Sequence, residues 1–455
     1  MTIDDGPSTT LTPIQNPLPR AGLLESATIF RDVQVPMVSM GPIRRRPPVM
    51  ALTERLGLVD RAVRRMQTVA EKYGPGPLEL TVPGQKMALI LSPQDAHRVL
   101  EGTPEPFAAA ETLKQQALAH FEPRVSLISH GPERTERRKF NEAALDTEHP
   151  VHTMAAQFLP AVEEESADLL EAVDRNGGVL TWDLFADTWF RIVRRVVLGD
   201  SARDDEELME LVESLRSKGN LAFARPKDCK TRAEFLSRLK ALLDRAEPGS
   251  LAAYMAGDGG RPGVEPADQV PQWLFAFDPA GTAAFGGLAL LSADPEFAET
   301  ARQQALEPAP GQSPPQLPHL RHTVLDTLRL WPTTPLILRE TTRPVEFQTG
   351  IMPAGTSVLI FAPFFHRDGR NLSYAHRFSP ELWERERTDG DWPLVPFSDG
   401  PGVCPGKNLV LLLASTVMAH ILRHRDVALT SHDLDPEAVP GLLNTYSVEY
   451  RLTPR

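Results

Sequence analysis

Pro396-Phe397-Ser398-Asp399-Gly400-Pro401-Gly402-Val403-Cys404-Pro405-Gly406 is the stretch that decides how this chain is read. A glycine-rich loop delivers a single cysteine, and an apolar helix is expected directly after it, over residues 408–422. Glycine lets a backbone approach a flat ligand with no Cβ in the way. A helix N-terminus brings amide donors and the positive end of its dipole near the sulfur, which favours thiolate over thiol. Loop and helix together make Cys404 a candidate metal ligand rather than an ordinary buried thiol. The chain has only one other cysteine, Cys229. A disulfide framework is excluded, and the wide spacing fits no zinc motif.

Working outward, residues 269–292 read as a helix that is apolar on every side, with Asp278 its only ionisable group. Such a helix is a buried one. Further helices are expected over 52–72, 132–145, 154–175, 182–198, 205–218, 231–245 and 318–330. Strands are expected over 336–361, with a turn at 353–355. Residues 78–91 alternate around Pro83-Gly84 and predict a small hairpin. A short helix capped by Ser92 follows it. Residues 104–128 read as irregular with some helix, 252–268 as a loop, and 443–452 as a second hairpin. The 43 prolines of the 455 residues are spread along the chain, as helix starts and stops rather than a low-complexity tract. The fold class is mostly α with a minor sheet component. Residues 1–20, polar and proline-rich, are expected to be a flexible tail on a single domain over 21–455.

The spacing Phe397-x-x-Gly400-x-x-x-Cys404-x-Gly406 resembles the heme-binding signature of the cytochrome P-450 family. The resemblance implies that family's fold, a helical bundle with a small β-rich subdomain. It also implies heme b as cofactor, Cys404 as axial ligand to iron, and a monooxygenase activity. Thiolate donation to iron promotes O–O cleavage. The family often carries Arg or His two residues before the cysteine, against a heme propionate. Here that position is Gly402, so this contact is missing or supplied elsewhere.

Other family features are met unevenly. A Glu-x-x-Arg pair occurs literally at Glu340–Arg343, in a strand-like stretch where positions three apart face opposite sides. The helical counterpart is Asp326-Thr-Leu-Arg329, whose ends share a helix face and can pair. The third arm of that network is an arginine in the family. Here the segment reads Phe378-Ser379-Pro380-Glu381-Leu382-Trp383, and Arg377 is the candidate substitute. The resemblance implies that Arg339, Arg134 and Arg138 bind the propionates.

The helix over 269–292 would lie on the distal side of the heme. Ala280-Gly281 matches the small-residue step above iron, and Pro279 is expected to kink the helix. The following acid and threonine of the family are replaced by Ala283 and Ala284. Gly281, Thr282 and Ala284 are the candidate catalytic positions. Thr282, an ordered water or a substrate hydroxyl could then relay protons. Asp278 is expected to pair with a basic residue away from the pocket. Pocket candidates are Phe275, Phe277, Ala280 and Gly281, then 334–336, the loop 107–121, 221–223 and 442–446. They suit a small hydrophobic substrate.

Three readings remain at this point. The first is a monooxygenase fed by an external electron donor of ferredoxin type, drawn to a basic patch at Arg137, Arg138, Lys139 and Lys407. The second is a peroxide-driven or redox-neutral heme-thiolate enzyme. The third, ranked last, is a non-catalytic heme or ligand-binding protein. The formal net charge of −12 argues against nonspecific nucleic-acid binding. With no secretory leader pattern and no long uninterrupted apolar run, the expectation is a cytoplasmic protein without a membrane segment.

Overall fold

The computed structural model describes residues 16–220, 226–257, 259–307, 314–388, 391 and 393–455. Helices dominate, and the described strands form three separate sheets. A six-stranded mixed sheet runs in the order Arg20–Ala21, Pro77–Val82, Gln85–Ile90, Ser357–Phe361, Leu336–Thr341, Phe107–Ala108. Two apolar cores follow from this division. One lies among the helices, around Phe285, Leu288 and Leu413. The other lies between the sheet and the N-terminal helices, around Leu78, Leu89 and Val358.

The central element is Pro266–Ala293, whose Leu288 to Leu291 are essentially unexposed. It is long and apolar enough to cross a membrane by length and composition, and 72% of that window is buried inside the fold. Its glycines explain the close packing around it. A Cβ on Gly287 would lie 3.0 Å from Met418 of Lys407–His424, and one on Gly286 would lie 3.3 Å from Thr327 of Pro318–Leu330. These three helices carry the site between them.

Most expected elements occur within two or three residues of their predicted bounds, including Trp182–Leu198, Pro318–Leu330 and the hairpin Pro77–Val82/Gln85–Ile90. Ser92 caps its helix by accepting the Asp95 amide at 3.1 Å.

Four expectations are corrected. The helix over 52–72 is two helices, Pro47–Arg55 and Leu58–Tyr73, because Gly57 turns left-handed between them at φ +56°. The loop over 252–268 contains the helix Leu251–Ala256. The C-terminal hairpin over 443–452 does not form. Glu449–Pro454 pairs instead with Arg425–Leu429 on one side and Val179–Thr181 on the other. The tail ends earlier than residue 20, since Leu18 is 4% exposed and Arg20 pairs with Glu79 in the large sheet. Residues 1–15 lie outside the described residues. A helix not foreseen, Pro295–Leu306, starts at Asp294, whose carboxylate accepts the Phe297 amide at 3.0 Å. The Asp-Pro step is the signal that could have found it.

Candidate active site

The cysteine loop is held by its own backbone. Gly400 sits at φ +62°, and a Cβ there would come within 2.6 Å of the Leu100 carbonyl oxygen. Glycine is therefore required twice over, by conformation and by space. The Val403 amide donates to Gly400 O at 3.0 Å, and the Cys404 amide donates to Phe397 O at 2.9 Å. Phe397 thus acts through its carbonyl as well as its ring, and Gly406 precedes the helix Lys407–His424. Burial pushes the Cys404 thiol up, while the amides of Gly406 and Lys407 and the positive charge of Arg138 act the other way. A second segment clamps the loop from outside. Thr147 Oγ1 donates to Pro405 O at 2.7 Å, and Asn408 Nδ2 donates to Thr147 O at 2.9 Å. Nothing in the local pattern around Thr147 marks it for this role.

On the same side of the molecule the structure gathers buried cations. Arg339 is 4% exposed; its Nε donates to Thr103 Oγ1 at 3.0 Å and its Nη2 to Ser398 Oγ at 3.3 Å. Its Nη2 also lies 2.8 Å from the point where a Cβ on Gly402 would stand. The guanidinium therefore fills the space that a larger residue at 402 would need. Arg134 is 8% exposed, and its charge reaches Arg339. Neither makes an ion pair with any described residue. Burial, and then the Arg134 charge, lowers Arg339 to about 10.

Lys114, which sequence reasoning missed, joins this group. Its Nζ donates to Ala109 O at 2.7 Å and to Leu338 O at 3.2 Å. Burial and the neighbouring Arg339 charge lower it to about 7. Arg138 differs from these three, because its Nε pairs with Glu142 at 2.6 Å. The surface bases Arg137 and Lys139 are likewise paired within the helix, with Glu133 at 3.1 Å and Glu136 at 3.6 Å.

Behind the loop stands the buried Asp326–Arg329 pair, Oδ1 to Nε 2.5 Å, with both side chains at 0% exposure. Arg329 Nη2 also donates to the Arg377 carbonyl at 2.5 Å. The remaining acceptor capacity of Asp326 is met by the Ser379 amide at 2.8 Å and Trp383 Nε1 at 3.2 Å. Arg377 was the expected third arm, and this is corrected. Its side chain turns to Ser379 Oγ and Glu381, and the indole N–H of Trp383 takes the place. The shorter Asp leaves room for a wide ring beside it. Glu340 of the literal Glu-x-x-Arg match lies in strand Leu336–Thr341 and accepts from Thr112, away from this network.

The helix Pro266–Ala293 presents two faces. Gly281 packs against Trp189, where a Cβ would lie 2.7 Å from Cδ1, and Trp189 Nε1 donates to Phe277 O at 2.7 Å. Ala284, one turn on, is fully buried. A half-buried stripe of Gln272, Phe275, Ala276, Pro279 and Thr282 lies on the opposite face. Thr282 Oγ1 donates to Asp278 O at 3.2 Å. Asp278 pairs with Arg216 at 2.5 Å. Glu122, unremarked in the sequence, is 1% exposed and faces the Gln272 carboxamide; burial raises its carboxyl well above the usual range. Of the pocket candidates, 221–223 lie outside the described residues.

Comparison with known proteins agrees with this geometry. Residues 278–449 match the family described as Cytochrome P450. "Probable cytochrome P450 4s3" of Drosophila melanogaster is 26% identical over 208 residues, 45% of this chain and 42% of that one. "Cytochrome P450 71D180" of Origanum majorana is 27% identical over 297 residues, 55% of this chain and 60% of that one. The matched region thus spans about half the length of these curated relatives. The solved structure "Retinoic acid bound cyanobacterial CYP120A1" superposes with a TM-score of 0.67 at 18% identity, covering 86% of this chain and 94% of that chain. Over residues 278–449 the chain thus resembles the cytochrome P450 family, and it has the fold of that solved structure. Heme b is the cofactor of that family. The residues fit it: a cysteine in an amide-lined loop stands on the same side as two buried guanidiniums lacking any described carboxylate partner, as two anionic propionates require.

Proposed function

We propose that this chain is a heme-thiolate monooxygenase acting on a small, largely hydrophobic molecule, with electrons supplied by a separate redox protein. The observation that carries the reading is the Cys404 loop, whose amides converge on the sulfur, together with Arg339 and Arg134, which make no ion pair among the described residues. Bound there, heme b supplies the iron at which dioxygen is activated for insertion into substrate. The chain's own residues do the rest. Cys404 would hold the heme iron through its sulfur, and the amides of Gly406 and Lys407 with the charge of Arg138 would stabilise the thiolate. Arg339 and Arg134 hold the propionates. Phe397, Gly400 and Gly406 keep the loop flat enough for a macrocycle to lie against it. Asp326 and Arg329 fix the segment that feeds chain into the loop.

A ferredoxin-type donor is the partner we favour, although glutamates interspersed on Gly131–Ala144 offset the basic patch expected there. Burial of most of the longest apolar helix supports a cytoplasmic protein. Residues 21–455 are read as a single catalytic domain, a reading that the packing of most helices into one apolar core supports.

The reduced, carbon-monoxide-bound spectrum tests the reading. Wild type should show the red-shifted thiolate band and Cys404→Ser should not. A wild type without that band sinks the proposal.

A second reading is favoured by one observation. At the distal step, Ala283 and Ala284 carry no proton, Thr282 is bonded to its own helix and Asp278 is held by Arg216. A peroxide-driven enzyme, whose oxidant is already reduced, has less need of a relay there. Turnover with a ferredoxin system should exceed turnover with hydrogen peroxide alone; the reverse result selects the second reading.

A further inference from the structure

The Gly406 amide is one of two that act on the Cys404 sulfur, and the peptide it belongs to has a second end. Pro405 O and the Gly406 N–H sit on one planar unit and point in opposite directions. The carbonyl end is taken by the Thr147 hydroxyl, which donates to Pro405 O at 2.7 Å. A hydrogen bond at a carbonyl draws charge through the amide and makes its N–H a stronger donor. The same bond fixes the plane of the peptide. Glycine lets such a plane turn over at little cost. The space beside Gly406 is open, since a Cβ there would meet only Leu145 Cδ1, at an ordinary 3.7 Å. No side chain caps the helix start at Gly406 among the described residues.

Thr147 is itself held in place. It follows the helix Gly131–Ala144, in a turn where Asp146 stands left-handed at φ +51°. The Asp146 carboxylate accepts from the Thr153 amide at 2.7 Å and pairs with His149 at 2.5 Å. The Thr147 amide donates to Glu142 O at 3.0 Å, and its carbonyl accepts from Asn408 Nδ2 at 2.9 Å. A hydroxyl has one hydrogen to give, and that of Thr147 goes to Pro405 O. The second amide on the sulfur, that of Lys407, belongs to the next peptide. The carbonyl of that peptide, Gly406 O, is taken by the Val410 amide at 2.9 Å, within the helix. Thr147 therefore does for the last peptide of the loop what the helix does for the peptide after it.

We infer that Thr147 is a positioning residue for the thiolate: through the Pro405–Gly406 peptide its hydroxyl holds and polarises the amide that donates to the Cys404 sulfur, and so limits how strongly that sulfur donates to a bound iron. Without the hydroxyl more negative charge stays on the sulfur, which favours the ferric over the ferrous state. The inference deepens the proposed function and rests on that reading for the iron alone. Thr147 acts only through the peptide and is not a catalytic residue.

The test is an equilibrium redox titration of the heme-loaded full chain without substrate. Thr147→Val keeps the shape of the side chain and removes the donor. At the wild-type midpoint its ferric-to-ferrous ratio should rise about twofold or more, the scale of one weakened hydrogen bond to the ligand. Thr147→Ser keeps the hydroxyl and should hold the ratio within about 1.3-fold of wild type. Asn408→Leu cuts the other tie between the same segments, leaves Pro405 O bonded, and should also stay within about 1.3-fold. An unchanged ratio in Thr147→Val overturns the inference. An equal shift in Asn408→Leu, or a full shift in Thr147→Ser, would make Thr147 a structural tie and overturn it too. If Thr147→Val does not fold, Thr147→Ala is titrated in its place and judged by the same outcomes. The carbon-monoxide spectrum of the wild type is recorded on the same sample, and a missing thiolate band sinks the proposed function. Amide hydrogen exchange of the heme-free chain then decides the inference by itself. The Gly406 amide should exchange about threefold or more faster in Thr147→Val than in wild type, and equal rates reject the role of Thr147.

Discussion

The cysteine side and the opposite side of the cavity are built by different rules. On the cysteine side each residue is fixed through its own backbone: Gly400 by a neighbouring carbonyl, Cys404 by Phe397 O, and Pro405 by the Thr147 hydroxyl. On the opposite side a single helix runs through two internal prolines, and its polar groups look elsewhere. Asp278 goes to Arg216, Thr282 to a carbonyl one turn back, and Gly281 to Trp189. The side that holds a ligand needs short-range geometry. The side that meets a substrate needs only the right face and the right vacancies.

The sharpest way to break this contrast is to attack the scaffold behind the cysteine. Asp326 and Arg329 are a fully buried pair. Removing one partner leaves a charge with no solvent. Arg329→Ala should therefore cost about 3–5 kcal/mol in chemical denaturation and reduce heme retention. The same experiment on Thr282→Ala, on the other side, should cost under about 1 kcal/mol. Comparable losses would mean that the two sides are not differently constrained.

Gly402 and Arg339 give the next effect. The guanidinium occupies the space over Gly402. Gly402→Arg would set two cations against each other in one buried volume. Heme affinity of the variant should fall about tenfold, measured by titration of the apoprotein, and Arg339→Ala in the same chain should recover most of it. Non-recovery would mean that Arg339 does not stand in for the missing cation.

This substitution also shows what the sequence could and could not disclose. The cysteine loop was legible because each of its requirements is local: glycine where φ is positive, proline at turns, an apolar helix at once. The helix starts were legible for the same reason, through prolines in first turns and caps such as Ser92. What lay beyond reach is set by partners far apart in the chain. Whether Gly402 is a loss depends on Arg339, some sixty positions earlier. Trp383 replaces the expected Arg377 because the shorter Asp326 leaves space that only the fold reveals. Lys114 looks like any surface lysine until Leu338 O is placed beside it. Glu449–Pro454 alternates as a strand should, but nothing nearby says that its partners are Arg425–Leu429 and Val179–Thr181.

Lys114 supplies a smaller, pH-dependent effect. Its lowered value of about 7 in the protein alone comes from burial and from Arg339. Propionates beside it would raise that value, so binding takes up a proton between about 7 and the new value. Heme affinity should be at its full level below about pH 7 and should fall as pH rises above it. Lys114→Met should flatten that dependence. A wild-type affinity that does not change from pH 6.5 to 9 would remove Lys114 from the propionate group.

The smallest expected effect is on the opposite side, at Thr282, and its smallness is the point. A hydroxyl has one hydrogen to give. In Thr282 it is given to Asp278 O, in the back-bonded geometry common for threonine in helices. A relay group must instead present that hydrogen toward the reacting oxygen. Thr282→Ala should accordingly change the fraction of reducing equivalents that appears in product by less than about threefold, against the roughly hundredfold or more that general acid catalysis contributes when a true relay is removed. Protons in that case come from ordered water or from the substrate itself, and the chain's departure at Ala283 and Ala284 is a real difference in delivery. A collapse of coupling by more than about tenfold, with heme content unchanged, would show that the hydroxyl turns toward the cavity during turnover. The two sides of the cavity would then share a common rule, with polar atoms positioned for chemistry on both.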